Sequence, residues 1–338
     1  MLRVSCRILD NPAPEMPAAV PVDEPGAAPF AGLPRRAAAF LVDGLILGLI
    51  GYALGQVLFD TFVRLGPWGR AVGFGVALAY FVPQESGGGQ SPGKRLLRLR
   101  VVDAQGRALG PARSTLRFAI LGVPYFLDGA ALPTKVATFA GGVPVAVVVL
   151  GGLLALAYLL VFNRRTRQSL HDLAVGAFVV RADARNAPGP ARAWGGHRVI
   201  AGALVVLGGA SPLLSAPLLR QPAFAGLNTL RQRLEAQPEL RSVDVSASVS
   251  TVYGATASER RELVIEGRVA VPLADNVPLS TRLAGIALAS YPDAGVLDAI
   301  EVRLAHGYDI GIASRWSDQT LALKPAQWAD RVAAGVAD

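Results

Sequence analysis

The chain has 338 residues, of which 52% are hydrophobic and 17% are charged, and its formal net charge is +8 at pH 7. Its mean hydropathy of +0.40 is too high for an ordinary soluble enzyme, so the composition predicts a membrane protein. The single cysteine, Cys6, excludes an internal disulfide and a cysteine-based metal site, and the three histidines argue against a histidine-based one.

The positive charge is concentrated in the first part of the chain. Residues 1–219 hold 21 basic and 11 acidic side chains, whereas residues 220–338 hold 12 and 14. Basic residues that flank apolar segments follow the positive-inside bias of membrane proteins. We therefore expect the lipid bilayer as the partner of this part, and no nucleic acid.

Five apolar segments follow a proline-rich start, which predicts a disordered cytoplasmic tail over residues 1–33. The segments are 37–59, 68–82, 118–132, 136–162 and 199–219, against the ~20 residues that cross a bilayer. Pro124 and Asp128 interrupt the third segment, so whether it spans the membrane fully stays open.

The arginines predict the orientation of these segments. The connections 83–117 and 163–198 are rich in arginine and should be cytoplasmic. Five transmembrane helices then place the amino terminus inside and the carboxyl-terminal domain outside the cell membrane. The predicted division is 1–33 tail, 34–182 transmembrane domain, 183–198 cytoplasmic linker, 199–219 additional transmembrane helix and 220–338 extracytoplasmic domain.

Asp43 lies inside the first apolar segment, where a charged carboxylate is costly unless it is paired or hydrated. Arg36 precedes it by roughly two helical turns, so both side chains lie near one helix face. Three interpretations stay open: an ion pair with Arg36, a protonated carboxyl group, or a polar pathway in which Asp43 binds a cation or exchanges a proton. Asp128 raises the same question in the third segment.

The loop after the second segment imitates a phosphate-binding loop through Gly88, Gly93 and Lys94. Arg95 stands where such a loop needs a hydroxyl group for magnesium, so we expect no nucleotide. We predict instead a cytoplasmic turn and a local hairpin over residues 97–106, whose arginines contact lipid head groups.

Asp172 follows His171 in the second arginine-rich connection. An aspartate beside a histidine can act as a proton relay, and pairing of Asp172 with a nearby arginine is the simpler interpretation. We expect neither a cofactor nor a metal ion.

Three spaced motifs resemble the RDD family of membrane proteins. They are Arg36-xx-Ala39-xxx-Asp43, Gly93-Lys94-Arg95 running on to Asp103 and Gly106, and Gln168-Ser-Leu-His171-Asp172. The resemblance covers residues 34–180 and implies an all-α polytopic fold in which Arg36, Asp43 and Asp172 give the family its name. It also implies transport of a small solute, with cation/proton exchange among the activities. The further helix and folded domain after this region depart from the family pattern.

Residues 220–338 alternate between polar and apolar in a way that predicts a small soluble α+β domain. We expect helices over 224–236 and 278–290, a hairpin of strands at 243–249 and 263–271, and strands at 297–304 and 309–316. The region has no nucleophile, metal or phosphate motif, which favours binding or assembly over catalysis.

Glycine pairs four residues apart indicate close packing of the first apolar segments. The pairs are Gly44/Gly48, Gly51/Gly55 and Gly69/Gly73. We interpret them as helix packing within one protomer, with a homo-oligomer as the alternative.

Two functions of different classes stay open, and neither is enzymatic. The first is a carrier in which Asp43 and Asp128 line a polar route through the membrane. The second is a membrane-anchored binding or assembly module that recruits a partner protein through its extracytoplasmic domain.

Overall fold

The computed structural model describes residues 30–130, 139–184, 187–189, 192–219, 221–252, 258–272 and 276–335. Most of the predicted tail lies outside these ranges. Its last residues, 30–33, are ordered, because Phe30 is bridged to Val180 and the N–H of Ala31 donates to the carbonyl of Val179 at 2.9 Å. The predicted tail is therefore wrong at this end.

The first part of the chain is mainly helical and carries one small sheet; we call it the helical half. Its helices are α1 (Leu33–Val57), α2 (Phe59–Leu65), α3 (Gly69–Gly88), α4 (Pro92–Leu96), α5 (Pro111–Leu127), α6 (Phe139–Ala146), α7 (Gly152–Phe162), α8 (Leu170–Val175) and α9 (Gly195–Leu219). Its strands are β1 (Leu99–Val102) and β2 (Phe178–Arg181). A π-helical turn joins α6 to α7, so the two form one continuous helix.

Three helices in the described part of the chain are long and apolar enough to cross a membrane: Leu33–Val57, Gly142–Phe162 and Gly195–Pro217. They correspond to the first, fourth and fifth predicted segments. The other two segments fall on α3 and α5, so a count of five spans stays a prediction. Helix α5 begins at Pro111 and ends at Leu127, so it lies earlier in the chain than the predicted segment at both ends. It ends at Leu127 because Asp128 adopts an extended backbone.

The small sheet joins two distant parts of the sequence. Strands β1 and β2 are antiparallel, with Leu99 opposite Arg181 and Val102 opposite Phe178. The predicted local hairpin over residues 97–106 is therefore wrong about the partner strand. The chain does turn after β1, where the N–H of Asp103 donates to the carbonyl of Arg107, but residues 107–110 form no strand before α5 begins at Pro111.

The carboxyl-terminal domain, which we call the sheet domain, is a four-stranded sheet packed against three helices. Its elements are α10 (Pro222–Glu235), β3 (Leu240–Val252), β4 (Ser258–Val269), α11 (Val277–Ser290), β5 (Ala299–Asp309), β6 (Ser314–Leu323) and α12 (Pro325–Ala333). The strand order is β3-β4-β5-β6, and only β4 and β5 are parallel, since α11 connects them. Leu230, Leu283, Ile300 and Trp328, one from each of four elements, are fully buried in the core between sheet and helices.

The expected strand over residues 309–316 is wrong, because the turn between β5 and β6 falls inside it. Gly311 adopts φ +79°, which an extended strand does not allow, and β6 begins only at Ser314. The alternation of apolar residues here has another cause. Residues 308–313, which we call the hairpin tip, pack against the helical half.

The hairpin tip is held by aromatic contacts and by an ion pair. Tyr308 packs on Phe62 of α2 with ring centroids 5.3 Å apart, and Ile310 is fully buried beside them. Arg70 of α3 donates to Asp309 from Nε at 3.0 Å and from Nη2 at 2.6 Å. The sheet domain is thus joined to the helical half by contacts as well as by the chain.

Glycines on α1 and α3 form the seat for the hairpin tip. A Cβ at Gly73 would collide with the carbonyl oxygen of Ile310, and a Cβ at Gly55 would collide with the hydroxyl group of Tyr308. These glycines thus serve close packing within one protomer, as interpreted, but the element that approaches them is a turn of the sheet domain, joined at Gly73 by Phe126 of α5. Close helix packing does occur elsewhere, where Gly208 of α9 meets Gly151.

We expect the substitution Gly73→Ala to destabilise the protein by about 1–3 kcal/mol, because the added methyl group overpacks against the hairpin tip. Gly75→Ala is the matched control, since a Cβ at Gly75 meets nothing within 4 Å. Thermal unfolding of the detergent-solubilised protein measures both. Equal midpoints for the two variants would contradict the proposed seat.

Candidate functional site, an ion cluster beside an apolar groove

Two arginines converge on Asp172, which is 0% exposed. Arg36 of α1 donates to its Oδ2 at 2.7 Å, and Arg117 of α5 donates to its Oδ1 from Nε at 2.9 Å and Nη2 at 2.7 Å. Charge-assisted hydrogen bonds of this kind compensate a carboxylate for the loss of water. Asp172 is thereby the centre of a buried ion cluster.

Arg117 extends the cluster to a second carboxylate, Glu85 of α3. Its Nη1 lies 2.8 Å from both oxygens of Glu85, and Lys94 donates to Oε1 of Glu85 at 2.8 Å. The Lys94 ammonium group also lies 5.3 Å from the ring centroid of Phe81. We define the ion cluster as Arg36, Glu85, Lys94, Arg117 and Asp172.

Asp43 lies next to the ion cluster but makes no ion pair within the described residues. It accepts hydrogen bonds from the Tyr80 hydroxyl at 2.8 Å, the Ser91 hydroxyl at 2.5 Å and the N–H of Gly93 at 2.8 Å. The carboxylate thus satisfies a backbone N–H at the start of α4, which no helical partner could satisfy. Its cost of burial is met by neutral donors.

Gly93 allows this close approach of α4 to α1. A Cβ at Gly93 would collide with the carbonyl oxygen of Ala39 and would lie 2.9 Å from Cγ of Asp43. The pairing of Arg36 with Asp43, one of the three interpretations above, is not observed, because Arg36 turns to Asp172.

The small sheet explains how residues so distant in sequence meet. Helix α4 comes directly before β1 and α8 directly before β2, so pairing of the two strands brings both short helices to one end of α1. Asp172 is also held within α8, since the backbone N–H of Ser169 donates to its Oδ2 at 3.3 Å in a capping box.

Burial lowers the pKa of His171 to about 4, and the charges of Arg117 and Arg36 add to this effect, whereas Asp172 and Glu85 oppose it. Burial also opposes the charge on Asp172, but the positive groups around it hold the pKa of this carboxyl well below its usual range. At neutral pH the imidazole is therefore neutral and the carboxylate is charged.

The neutral imidazole has one nitrogen without a partner. Nε2 of His171 lies 3.3 Å from Oδ1 of Asp172, which favours the tautomer with its hydrogen on Nε2. Nδ1 then carries a lone pair, and it is buried without a hydrogen-bond partner in the described part of the chain.

The other residues selected from the sequence lie elsewhere. Asp128 is exposed beyond the opposite end of α5, where its backbone carbonyl accepts a hydrogen bond from Arg70. Arg117 and Asp128 are separated by eleven residues, or roughly 16 Å of helix, so Asp128 does not join the ion cluster. Arg95 is exposed on α4, beside the buried Gly93.

Sequence reasoning missed four residues that complete the site: Tyr80, Glu85, Ser91 and Arg117. Arg117 was counted only as one of several basic residues before the third segment. A charge balance was the available signal, because Glu85 is an acidic residue at the end of an apolar segment and needs a base nearby.

An open groove runs from the ion cluster along α1 and α5. Its first part has a volume of about 290 Å³ and its second part about 160 Å³, and the two parts adjoin at Phe40, Phe81, Phe118 and Leu121, which line both. Charged side chains and His171 line only the first part: Arg36, Asp43, Glu85, Lys94, Arg117 and His171. The second part ends at Gly311 and Ile312 of the hairpin tip.

The convergence of Arg36 and Asp172, with Asp43 beside them, agrees with the family resemblance of the motifs. Residues 30–176 match the RDD family. We call this matched part of the chain the RDD domain. The RDD domain contains α1 to α8, whereas α9 and the sheet domain lie beyond it. The chain matches no curated protein. No three histidine, cysteine or carboxylate side chains lie close enough to hold a metal ion, as far as the described residues of the chain show.

We expect Arg117→Met to destabilise the RDD domain by about 3–5 kcal/mol, because it leaves two buried carboxylates without their shared base. Arg107→Met is the control, since the Arg107 side chain that pairs with Asp103 is 74% exposed and should contribute less than about 1 kcal/mol. Thermal unfolding of the detergent-solubilised variants compares them. A loss for Arg117→Met no larger than that of the control would show that the ion cluster does not hold these helices together.

We expect acid to destabilise the RDD domain through His171. Between its ordinary pKa of 6.5 and its folded pKa of about 4, the unfolded chain binds a proton that the folded state does not bind. Stability therefore falls as the pH falls through this window, by on the order of 3 kcal/mol.

The melting temperature measured from pH 7 to pH 4.5 tests this expectation. His171→Gln should reduce the slope, and His197→Gln, which alters a histidine on α9, should retain it. An unchanged slope in His171→Gln would assign the acid sensitivity to other groups.

Proposed function

We propose that the RDD domain is a carrier that binds a small solute in the groove and moves it across the cell membrane. The observation that supports this proposal is the groove itself, whose two adjoining parts lie between the ion cluster and the hairpin tip. Ligand sites in proteins are concave and mostly apolar with a few convergent polar groups, and the groove has this character.

The proposed orientation follows from the distribution of charges. The ion-cluster end carries the exposed arginines Arg95, Arg98 and Arg107, so the positive-inside bias places it in the cytoplasm. On α3, Arg70 contacts the hairpin tip and Glu85 belongs to the ion cluster, roughly 22 Å away along the helix. The sheet domain would then lie outside the cell, with five helices crossing the membrane.

A carrier of a small solute is favoured over cation/proton exchange. An exchanger needs a carboxylate that is free to take up a cation or a proton. Asp43 accepts three hydrogen bonds, and Glu85 and Asp172 are each shared by two bases. A cation would have to displace these partners before it could bind.

The second candidate is a membrane-anchored binding module that recruits a partner protein outside the cell. It is favoured by the edge strand β6, whose residues 314–320 are all exposed and include Trp316 at 39%. An exposed edge strand offers unpaired backbone groups to a partner strand. In this case the helical half would be an anchor, and its groove would not open to both sides.

We expect a cysteine at Leu121, where the two parts of the groove meet, to react with a membrane-impermeant thiol reagent added on either side of the membrane. A carrier exposes its site to each side in turn, whereas an anchor exposes it to one side at most. Val123→Cys is the control on the same helix, since Val123 is 37% exposed and does not line the groove. Both variants are made with Cys6 replaced by serine and are assayed in sealed vesicles of either orientation. Reaction of Leu121→Cys from one side only would refute the carrier.

A further inference from the structure

A small cavity lies where the sheet domain meets the helical half, and we call it the junction pocket. Its lining includes Val63, Gly66 and Arg70 from the helical half and Arg241, Arg268 and Trp316 from the sheet domain. Its volume is about 30 Å³, and one water molecule needs roughly 10–15 Å³ of such space. The junction pocket therefore admits one compact group, such as the oxygen atoms of a phosphate, and the rest of any ligand must lie outside it.

The junction pocket has an excess of positive charge. Three arginines line it, but only one carboxylate, Asp309. Arg70 is already engaged, since it donates to Asp309 from Nε and Nη2 and to backbone carbonyls from Nη1. Among the described residues, the side chain of Arg241 has no ion pair or hydrogen bond, and that of Arg268 makes only a cation–π contact with Trp316, 5.1 Å from the ring centroid. Two positive charges are thus without a partner.

The carboxylates closest in sequence to these two arginines are engaged by other bases. Glu239 pairs with Arg282 at 2.5 Å, and Glu266 pairs with Arg303 at 3.0 Å. The two unpaired arginines lie on the adjacent strands β3 and β4, near the hairpin tip. Guanidinium groups bind phosphate oxygens through pairs of parallel N–H donors. A phosphate group is therefore the anion that the junction pocket suits best.

The junction pocket lies at the level of a membrane surface. Helix α1 is one of the candidate spans, and Val63 and Gly66 of the lining belong to α2 and the turn after it, the next elements of the chain. The 25 residues of α1 extend roughly 37 Å, longer than a hydrocarbon core of about 30 Å, so the residues after its end lie among lipid head groups. Trp68, which follows the lining residue Pro67, is 76% exposed, and tryptophan is enriched at this depth.

We infer that the junction pocket binds a phosphate group through Arg241 and Arg268, and that this phosphate belongs to an anionic phospholipid of the membrane surface. A zwitterionic lipid carries a phosphate too, but its own cation already compensates it, so the two arginines favour a head group with net negative charge. The bound lipid fastens the sheet domain to the bilayer beside the hairpin tip. This inference goes beyond the carrier function and does not depend on it, since the reaction of residue 121 tests the carrier alone.

Native mass spectrometry of the full-length protein in a neutral detergent measures the binding of phosphatidylglycerol and of zwitterionic phosphatidylcholine. We expect phosphatidylglycerol to bind about tenfold more tightly, since only its head group brings a net negative charge to the two arginines. The double substitution Arg241→Gln with Arg268→Gln should weaken the binding of phosphatidylglycerol by about tenfold and so remove the preference, because it removes both charged donors.

Two further variants make the result specific. Arg260→Gln with Arg261→Gln removes the same charge from the far end of β4, roughly 26 Å from Arg268, and should leave the preference unchanged. Arg241→Lys with Arg268→Lys keeps both charges but not the forked donors, so it should retain the preference with weaker binding of phosphatidylglycerol. The lysine variant also keeps the test decisive if the glutamine variant folds poorly.

Each other outcome overturns a stated part of the inference. Phosphatidylglycerol binding that is unaffected by the substitutions of Arg241 and Arg268 would refute the junction pocket as the site. An equal loss in the Arg260 and Arg261 variant would reduce the effect to general attraction by a basic surface. Equal binding of the two lipids would refute the anionic head group. Displacement of the lipid by millimolar glycerol phosphate would assign the phosphate to a soluble ester and refute the lipid as its source.

Discussion

The structure of the helical half depends on one constraint, that the carboxylate of Asp172 cannot be buried without bases around it. Arg36 and Arg117 come from different helices to meet it, and Arg117 in turn joins Glu85. Because Arg117 pairs with both buried carboxylates at once, the helices that carry Arg117, Glu85 and Asp172 are bound to one relative position. The small sheet makes this geometry accessible, because it brings α8 and α4 to the same end. The two short helices then close the groove at that end.

Much of this arrangement could be predicted, since the lengths of the apolar segments and the positions of the arginine-rich connections are visible in the sequence itself. The apolar segments and the α+β character of the last third followed from such patterns, whereas Arg36, Asp43 and Asp172 were selected together through the resemblance of their motifs to a family. The pairing of these residues did not follow, because spacing on one helix suggested Arg36 with Asp43, whereas the true partner of Arg36 lies 136 residues away. Long-range pairing is decided by which helices pack together, and a single sequence does not contain that information.

The glycine pairs show the same limit more sharply. Small residues one turn apart indicate that something approaches the helix closely, and this was correct for Gly55 and Gly73. The pattern does not say what approaches. The partner proved to be a turn of the sheet domain, whose apolar residues had themselves been assigned to a strand. The unidentified partner and the misassigned strand thus had a single cause, the contact between the hairpin tip and its seat.

The contact between Arg70 and Asp309 also joins positions that are 239 residues apart. The seat on α1 and α3 is therefore synthesised well before the turn that fills it, since Asp309 follows Arg70 by 239 residues. Until then, the seat on α1 and α3 is empty and Arg70 lacks its partner Asp309. The far end of the helical half is therefore completed only after β5 has been made, which couples the final packing of α1 and α3 to the synthesis of the sheet domain.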